Sequence, residues 1–268
     1  MALTVCVGGL LMADAGLLHS LIPRVTSGTA VVHLFGGPYL TVGGLRAEVP
    51  DGSKRLVTYV ALSSGCVDRR LTAGNLWPDA DEPRAAGNLR SALWRLRRAG
   101  LDVLECRKSS LALRGGTFVD VDLISQWAGR LIDGTAPPSE LLSVDAIREL
   151  TDLLPGWYDD WVIFERERLR QKLLHALEAL SRRQTLEGHY ARAIEAALSA
   201  LAVDPLRESA ARVLIEAHLA EGNLSEARRA YAQFCRTLLR ELGVRPGVQL
   251  QSLMAPAPGR QPVLVATK

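Results

Sequence analysis

DEPRAAGNLRSALWRLRRAG, residues Asp81–Gly100, joins a helix start signal to two chemically opposed faces. Asp81 can cap the helix, and Glu82 and Pro83 suit its first turn, where an acid meets free N–H groups and proline has no bond to lose. At 100° per residue, Ala85, Leu89, Ala92, Leu93 and Leu96 fall within about 60° of one centre line and form a buried face. The opposite face collects Arg84, Gly87, Ser91, Trp94 and Arg98, with Asn88, Arg90 and Arg95 on its flanks. Arg97, about 80° from Leu89, lies near the core edge and is read as a partner for Asp79 or Asp81.

A basic helix face is either a solvated surface or an electrostatic footprint for a polyanion. The distribution of charge favours the footprint. Residues 83–114 carry eight Lys/Arg against two acids, a local +6 in a chain of net charge +3, whereas residues 156–242 carry thirteen of each sign.

The flanking segments supply a setting for this helix. Upstream, VVHLFGGPYLTVGGLRAEV (Val31–Val49) places β-branched and aromatic residues between Gly36-Gly37-Pro38 and Gly43-Gly44, predicting two or three short strands with tight turns. KRLVTYVALSSG then predicts a helix capped by Asp51 or Ser53 and ending near Gly65, and a short helix follows from Thr72 to Pro78. Downstream, VLECRKSSLALRGGTFVDV predicts two strands about a turn at Lys108–Ser110 and a third strand run over Thr117–Val121. Strands, three helices and a hairpin are the order of a winged helix-turn-helix, with the basic helix in the recognition position.

The 268 residues suffice for two domains, and a composition 48% hydrophobic but only 5% aromatic favours helices. After the linker DGTAPPSE (Asp133–Glu140), a long amphipathic helix carries Val162, Leu169, Leu173 and Leu177 on one stripe. GHYARAIEAAL from Gly188 then aligns with GNLSEARRAYA from Gly222 at an offset of 34 residues, matching Tyr190 with Leu224 and Ala193 with Ala227. That period belongs to tetratricopeptide units, each a pair of antiparallel helices. Asp204-Pro205 breaks the chain before the later unit, and ELGVRPG closes its last helix. The expected fold class is mainly α with a small β component: a winged helix-turn-helix domain plus an all-α tetratricopeptide-like domain. The expected divisions are an N-terminal extension (1–29), the winged helix (30–125), the helical-repeat domain (126–254) and a flexible tail (255–268).

The segments LFGGPYLTVGG, NLWPDADEPRAAGNLRSALWRLRR, LLPGWYDDWVIFERERLRQKLLHALEAL and DPLRESAARVLIEAHLAEGNLSEARRAYAQFCRTLLRELGVRP together resemble the Streptomyces antibiotic regulatory protein family over about residues 31–254. The resemblance implies an OmpR-type winged helix joined to a bacterial transcriptional activator domain. It also implies a transcriptional activator of secondary-metabolite gene clusters that binds direct repeats in promoter DNA as side-by-side protomers and engages RNA polymerase. ATPase and sensor domains found in larger members do not follow, so the chain resembles the small, stand-alone ones. Carried across, Pro83–Ala99 becomes the recognition helix and Arg107–Ser110 the wing. Arg114-Gly115-Gly116-Thr117-Phe118 departs from the family's frequent Gly-Gly-Tyr.

The residues expected at double-stranded DNA are Arg84, Asn88, Arg90, Ser91, Arg95 and Arg98 on the helix and Arg107 and Lys108 on the wing. Arginine can neutralise phosphate or fork onto a guanine edge, and a recognition helix carries such groups into the major groove. Lys54 and Arg55 are weaker phosphate candidates. Trp94 is read as either stacking over sugar–phosphate or packing against the hairpin, with packing preferred, and Trp77 as a core plug. Asp159 and Asp160 in LLPGWYDDWV are neighbours on a helix start, pointing about 100° apart, so they suit a cap and not an acid–base pair. Trp157 and Trp161 beside them are expected to fill a domain interface.

Several function classes have no support. Neither G-x-x-x-x-G-K-[ST] nor a strand-linked G-x-G-x-x-G occurs, and no serine stands in G-x-S-x-G, so the expected protein is not an enzyme. Cys6, Cys66, Cys106 and Cys235 show no metal-ligand spacing and suit reduced thiols, while His175, His189 and His218 stand alone in helical patterns as packing residues. No metal or cofactor is expected. MALTVCVGGLLMADAGLLHSLIPR lacks a basic start and is broken by Asp14, so neither a signal peptide nor a membrane span is read and a cytoplasmic protein is expected. The competing functional class is a protein-interaction adaptor whose winged helix no longer reads DNA.

Overall fold

The computed structural model describes residues 29–63, 65–141 and 153–254. The N-terminal extension up to residue 28 and the tail from 255 lie outside them. Two compact units result, one comprising the chain to Arg130 with Ala136–Leu173, the other Leu131–Thr135 with Leu174 onward.

In the first unit, β1 (Ala30–His33), β2 (Tyr39–Val42) and β3 (Leu45–Glu48) form an antiparallel meander. Gly43 and Gly44 both take positive φ, 57° and 85°, as a two-residue hairpin turn requires. Next come helix α1 (Asp51–Leu62), the short strand β4 (Cys66–Asp68), α2 (Arg69–Leu76), α3 (Glu82–Arg98), β5 (Leu104–Cys106), β6 (Ser110–Leu113), β7 (Thr117–Val119) and α4 (Asp120–Ile132). The wing sheet has the order β4-β6-β5, and β7 leaves it to pair in parallel with β1 in the sheet β3-β2-β1-β7. The predicted third strand is therefore real, but it stops at Val119 and belongs to the other sheet. Its chain turns there because the buried Asp120 carboxylate accepts the backbone N–H groups of Leu34 (2.7 Å), Phe35 (3.1 Å) and Val121 (2.7 Å).

Three local expectations shift for identifiable reasons. Neither Asp51 nor Ser53 caps α1: Pro50 precedes the helix without a side-chain bond, Asp51 pairs with Lys54 at 2.7 Å, and the buried Ser53 hydroxyl donates to the Ala92 carbonyl at 2.7 Å. Helix α2 begins at Arg69, ahead of Thr72, because Asp68 caps it by accepting from Arg70 N (2.8 Å) and Leu71 N (2.9 Å). Arg55 is engaged by the Asp159 carboxylate instead of facing outward.

That ion pair holds the LLPGW elbow to α1. Leu154 N donates to the Leu34 carbonyl at 3.1 Å, Arg166 donates to the carbonyls of Leu153, Leu154 and Trp157, and Trp161 meets Tyr59 edge-on at 5.3 Å between ring centres. Helix α5 (Asp160–Leu186) starts here, its first turn received by the Asp159 carbonyl, which accepts from Val162 N at 2.9 Å. The Asp159 side chain is thus an ion-pair partner rather than a cap, and the tryptophans pack within the first unit.

Two titratable groups of this unit, the half-buried His33 and the buried Asp120, give its stability opposite pH dependences. Burial, with help from the Arg46 charge, lowers His33 from 6.5 to about 4 while its ring stacks on Tyr39 at 4.5 Å. The unfolded chain takes up this proton first, so stability falls as pH drops from 6.5 to 4. Burial pushes Asp120 the other way, from 3.8 to about 7, against the lowering effect of its three backbone bonds. Here the folded protein takes up the proton first, and stability rises as pH drops through the same range. His33→Gln should therefore lose less stability than the parent between pH 7 and pH 5, and Asp120→Asn more, in urea titrations. Identical pH differences in all three proteins would contradict the assignment.

The second unit continues along α5 into α6 (Tyr190–Val203), α7 (Glu208–Glu221), α8 (Leu224–Leu242) and α9 (Val248–Met254). The 34-residue offset holds in three dimensions: α6 and α8 start at the aligned Tyr190 and Leu224, each two residues after a glycine with left-handed φ, Gly188 at 77° and Gly222 at 84°. Ala193, Ala197, Ala210, Ala217 and Ala227 are buried, and residues this small let the backbones approach closely. ELGVRPG does not end the helical structure. Gly247 N donates to both Glu208 carboxylate oxygens (2.9 and 3.0 Å), and α9 returns Leu250 to the core formed by Ile215, Phe234 and Leu238.

Candidate nucleic-acid interface

Helix α3 owes its place to its apolar side. Ala85, Leu89, Ala92, Leu93 and Leu96 are all buried, as the period predicts, and Asp81 Oδ1 caps the helix by accepting from Arg84 N at 2.9 Å. Arg84, Arg90, Ser91, Arg95 and Arg98 are consequently exposed, with Asn88 half-buried between them. Among the described residues, none of these four arginines is in an ion pair with an acid. The Arg95 guanidinium lies against α1 at Gly52, where a Cβ would come within 2.5 Å of its Nη1. Arg97 is exposed and pairs with neither Asp79 nor Asp81, so the expected bracing contact is not formed.

Trp94 does not take the packing role preferred for it. It is 57% exposed instead of packing on the hairpin, and the Arg98 guanidinium sits 5.1 Å from its ring centroid. Trp77 is half-buried.

The wing turn is set by α2, a link that reading the chain segment by segment misses. Arg69 N donates to the Ser109 carbonyl at 2.9 Å and Arg69 Nη1 to the Arg107 carbonyl at 3.3 Å. Arg107 itself is held by Glu105 at 3.0 Å, a hydrogen bond and charge pair that raise its already high pKa, while Lys108 is exposed. Arg70 pairs with Glu82 at 2.7 Å and ties the start of α2 to the start of α3. The signal for these two arginines was the acid before them, Asp68, whose capping role places the helix start at Arg69. Cys66 and Cys106, on β4 and β5, are free thiols, and no group of acids, cysteines and histidines among the described residues could hold a metal ion.

The comparisons with known proteins now bear on this arrangement. Residues 141–256 match the bacterial transcriptional activator domain. A solved structure, Mycobacterium tuberculosis EmbR in complex with a low-affinity phosphopeptide, superposes with a TM-score of 0.61 over 84% of this chain and 64% of that one, at 20% identity. Together these findings support a winged helix joined to a bacterial transcriptional activator domain, the architecture of the Streptomyces antibiotic regulatory proteins. In this chain the winged-helix elements precede the region matched by the activator-domain model. The chain spans 64% of the length of the EmbR chain, and at that identity the likeness concerns the fold. No curated protein matches the chain by sequence. Among its described residues no helix is long and apolar enough to cross a membrane.

Proposed function

We propose that this protein is a transcriptional regulator, a sequence-specific DNA-binding activator, cytoplasmic and specific to a secondary-metabolite gene cluster. Its α3 enters the major groove and its Arg107–Ser110 turn follows the adjoining backbone. The observation that carries the reading is the division of α3: one side is wholly apolar and buried, and the other presents Arg84, Arg90, Arg95 and Arg98, which have no acidic partners among the described residues. Four guanidinium groups not neutralised by these acids repel one another on one helix and gain from meeting a polyanion, whose condensed counterions they release. Arg84, Asn88, Ser91 and Arg95 are assigned to base edges or nearby phosphates, Arg90 and Arg98 to the groove walls, and Arg107 and Lys108 to phosphate.

The activator domain is proposed to contact RNA polymerase and a second protomer, two copies occupying direct repeats of a promoter. A homodimer on DNA follows from that arrangement. Mobility-shift titrations of the full chain against its neighbouring promoters at two salt concentrations test the reading. A retarded complex that weakens steeply with salt is expected. Absence of any complex, together with crosslinking to proteins but not to DNA, would support the adaptor in its place.

A further inference from the structure

We infer that the shallow concavity on α3 lined by Gly87, Arg90, Ser91 and Trp94 receives the 5-methyl group of a thymine in the major groove, making Trp94 a specificity-determining residue. The inference rests on the DNA-binding reading above. Gly87, Ser91 and Trp94 stand at i, i+4 and i+7 and share one stripe of the helix. At Gly87 an added Cβ would find no atom nearer than Arg90 Nη2 at 3.7 Å, so the floor of the concavity is open. Ser91 adds only a hydroxymethyl group. The Arg90 side chain and the Trp94 indole form the walls.

The indole is the large apolar group of a face made otherwise of arginine, serine, asparagine and glycine, and a tryptophan with one apolar body and one polar edge suits an interface. Among the described residues Trp94 is the exposed tryptophan of the five, the others being buried or half-buried. Its ring is also held in place, because the Arg98 guanidinium 5.1 Å from its centroid is attracted to the π-system. The indole carries one N–H donor and no charge, so it adds little to phosphate binding. Of the groups that base pairs present in the major groove, the apolar one is the thymine methyl. The stripe from Gly87 to Trp94 rises about 10 Å, close to three base-pair steps, so a single pocket within it selects a single position.

The other surface an indole could cover is the sugar–phosphate backbone, and the experiment separates the two. The full chain is used to select duplexes from a randomised library, and the best is rebuilt with each thymine replaced in turn by deoxyuridine, which removes only the methyl group. Wild-type and Trp94→Ala proteins are titrated against this set by fluorescence anisotropy, with circular dichroism confirming that both are folded. Replacement at one position of each bound repeat should weaken wild-type binding about fourfold, the worth of one buried methyl group. Trp94→Ala should bind the thymine and uracil duplexes equally. The inference is overturned if no position responds, or if the response persists in Trp94→Ala. A uniform loss on every duplex would assign the indole to the backbone. Failure to select any duplex would instead sink the DNA-binding reading, and this inference with it.

Discussion

Replacing Arg84 and Arg90 together by alanine is expected to weaken binding to the selected duplex about a hundredfold. Both side chains are exposed on α3, and among the described residues neither is neutralised by an acid, so neither has a competing partner to leave on meeting DNA. A contact of this kind is worth about 1–3 kcal/mol, and two that do not touch the same group add approximately. The salt dependence separates their roles. If both meet phosphate, the slope of log K against log salt should become shallower by about 1.8, whereas a base-edge contact lowers affinity for the preferred duplex and leaves the slope nearly unchanged. Arg107→Ala provides the contrast: its guanidinium is already shared with Glu105, and an exposed pair of this kind holds only a fraction of a kcal/mol, so a smaller loss is expected. Unchanged binding in the Arg84 and Arg90 double variant would remove the main support for α3 as the recognition helix.

The largest stability effect is expected in the second unit, at Arg207→Met. Glu178 is only 2% exposed, and its Oε1 accepts from Arg207 Nε at 2.5 Å and from Ser209 Oγ at 2.6 Å, with Arg182 3.6 Å from its other oxygen. Removing the arginine leaves a buried carboxylate short of its closest counter-charge, at a cost of about 3–5 kcal/mol. Adding Glu178→Gln to Arg207→Met should recover most of that loss, since the amide oxygen can still accept from Ser209 without carrying a charge. Urea denaturation of the single and double variants measures both quantities. A double variant no more stable than Arg207→Met would show that the site depends on shape and not on charge.

Where the sequence was legible, the controlling physics was local. The apolar face of α3 and its Asp81 cap follow from a 100° rotation per residue and one short acidic side chain, and both reappear residue for residue. The repeat offset was equally clear because Gly188 and Gly222 must each adopt a backbone conformation that other residues resist. The cap of α2 was legible in principle, since Asp68 precedes two arginines, but the three-residue strand ending at that aspartate is too short to announce itself. Where expectation and structure part, a partner distant in the chain competes for the same group. Ser53 turns from its own helix end to Ala92, Asp159 turns from capping to Arg55, and Asp120 halts β7 by reaching back to Leu34 and Phe35.

The amino-acid sequence by itself determined the order of the two domains, the buried and basic sides of α3, and the stacking period of the helical unit, because each rests on side-chain patterns local in the chain. The tertiary structure alone decided which cations stay free. Pairing requires an acid brought within about 4 Å, and that depends on how segments far apart in the chain fold together. Arg55 and Arg70 found such acids in other segments and Arg107 a local one in Glu105, while Arg84, Arg90 and Arg98, turned outward by the leucines and alanines behind them, pair with none among the described residues. The same packing left the Trp94 indole on the surface, where periodicity could place it but could not say whether another element would cover it.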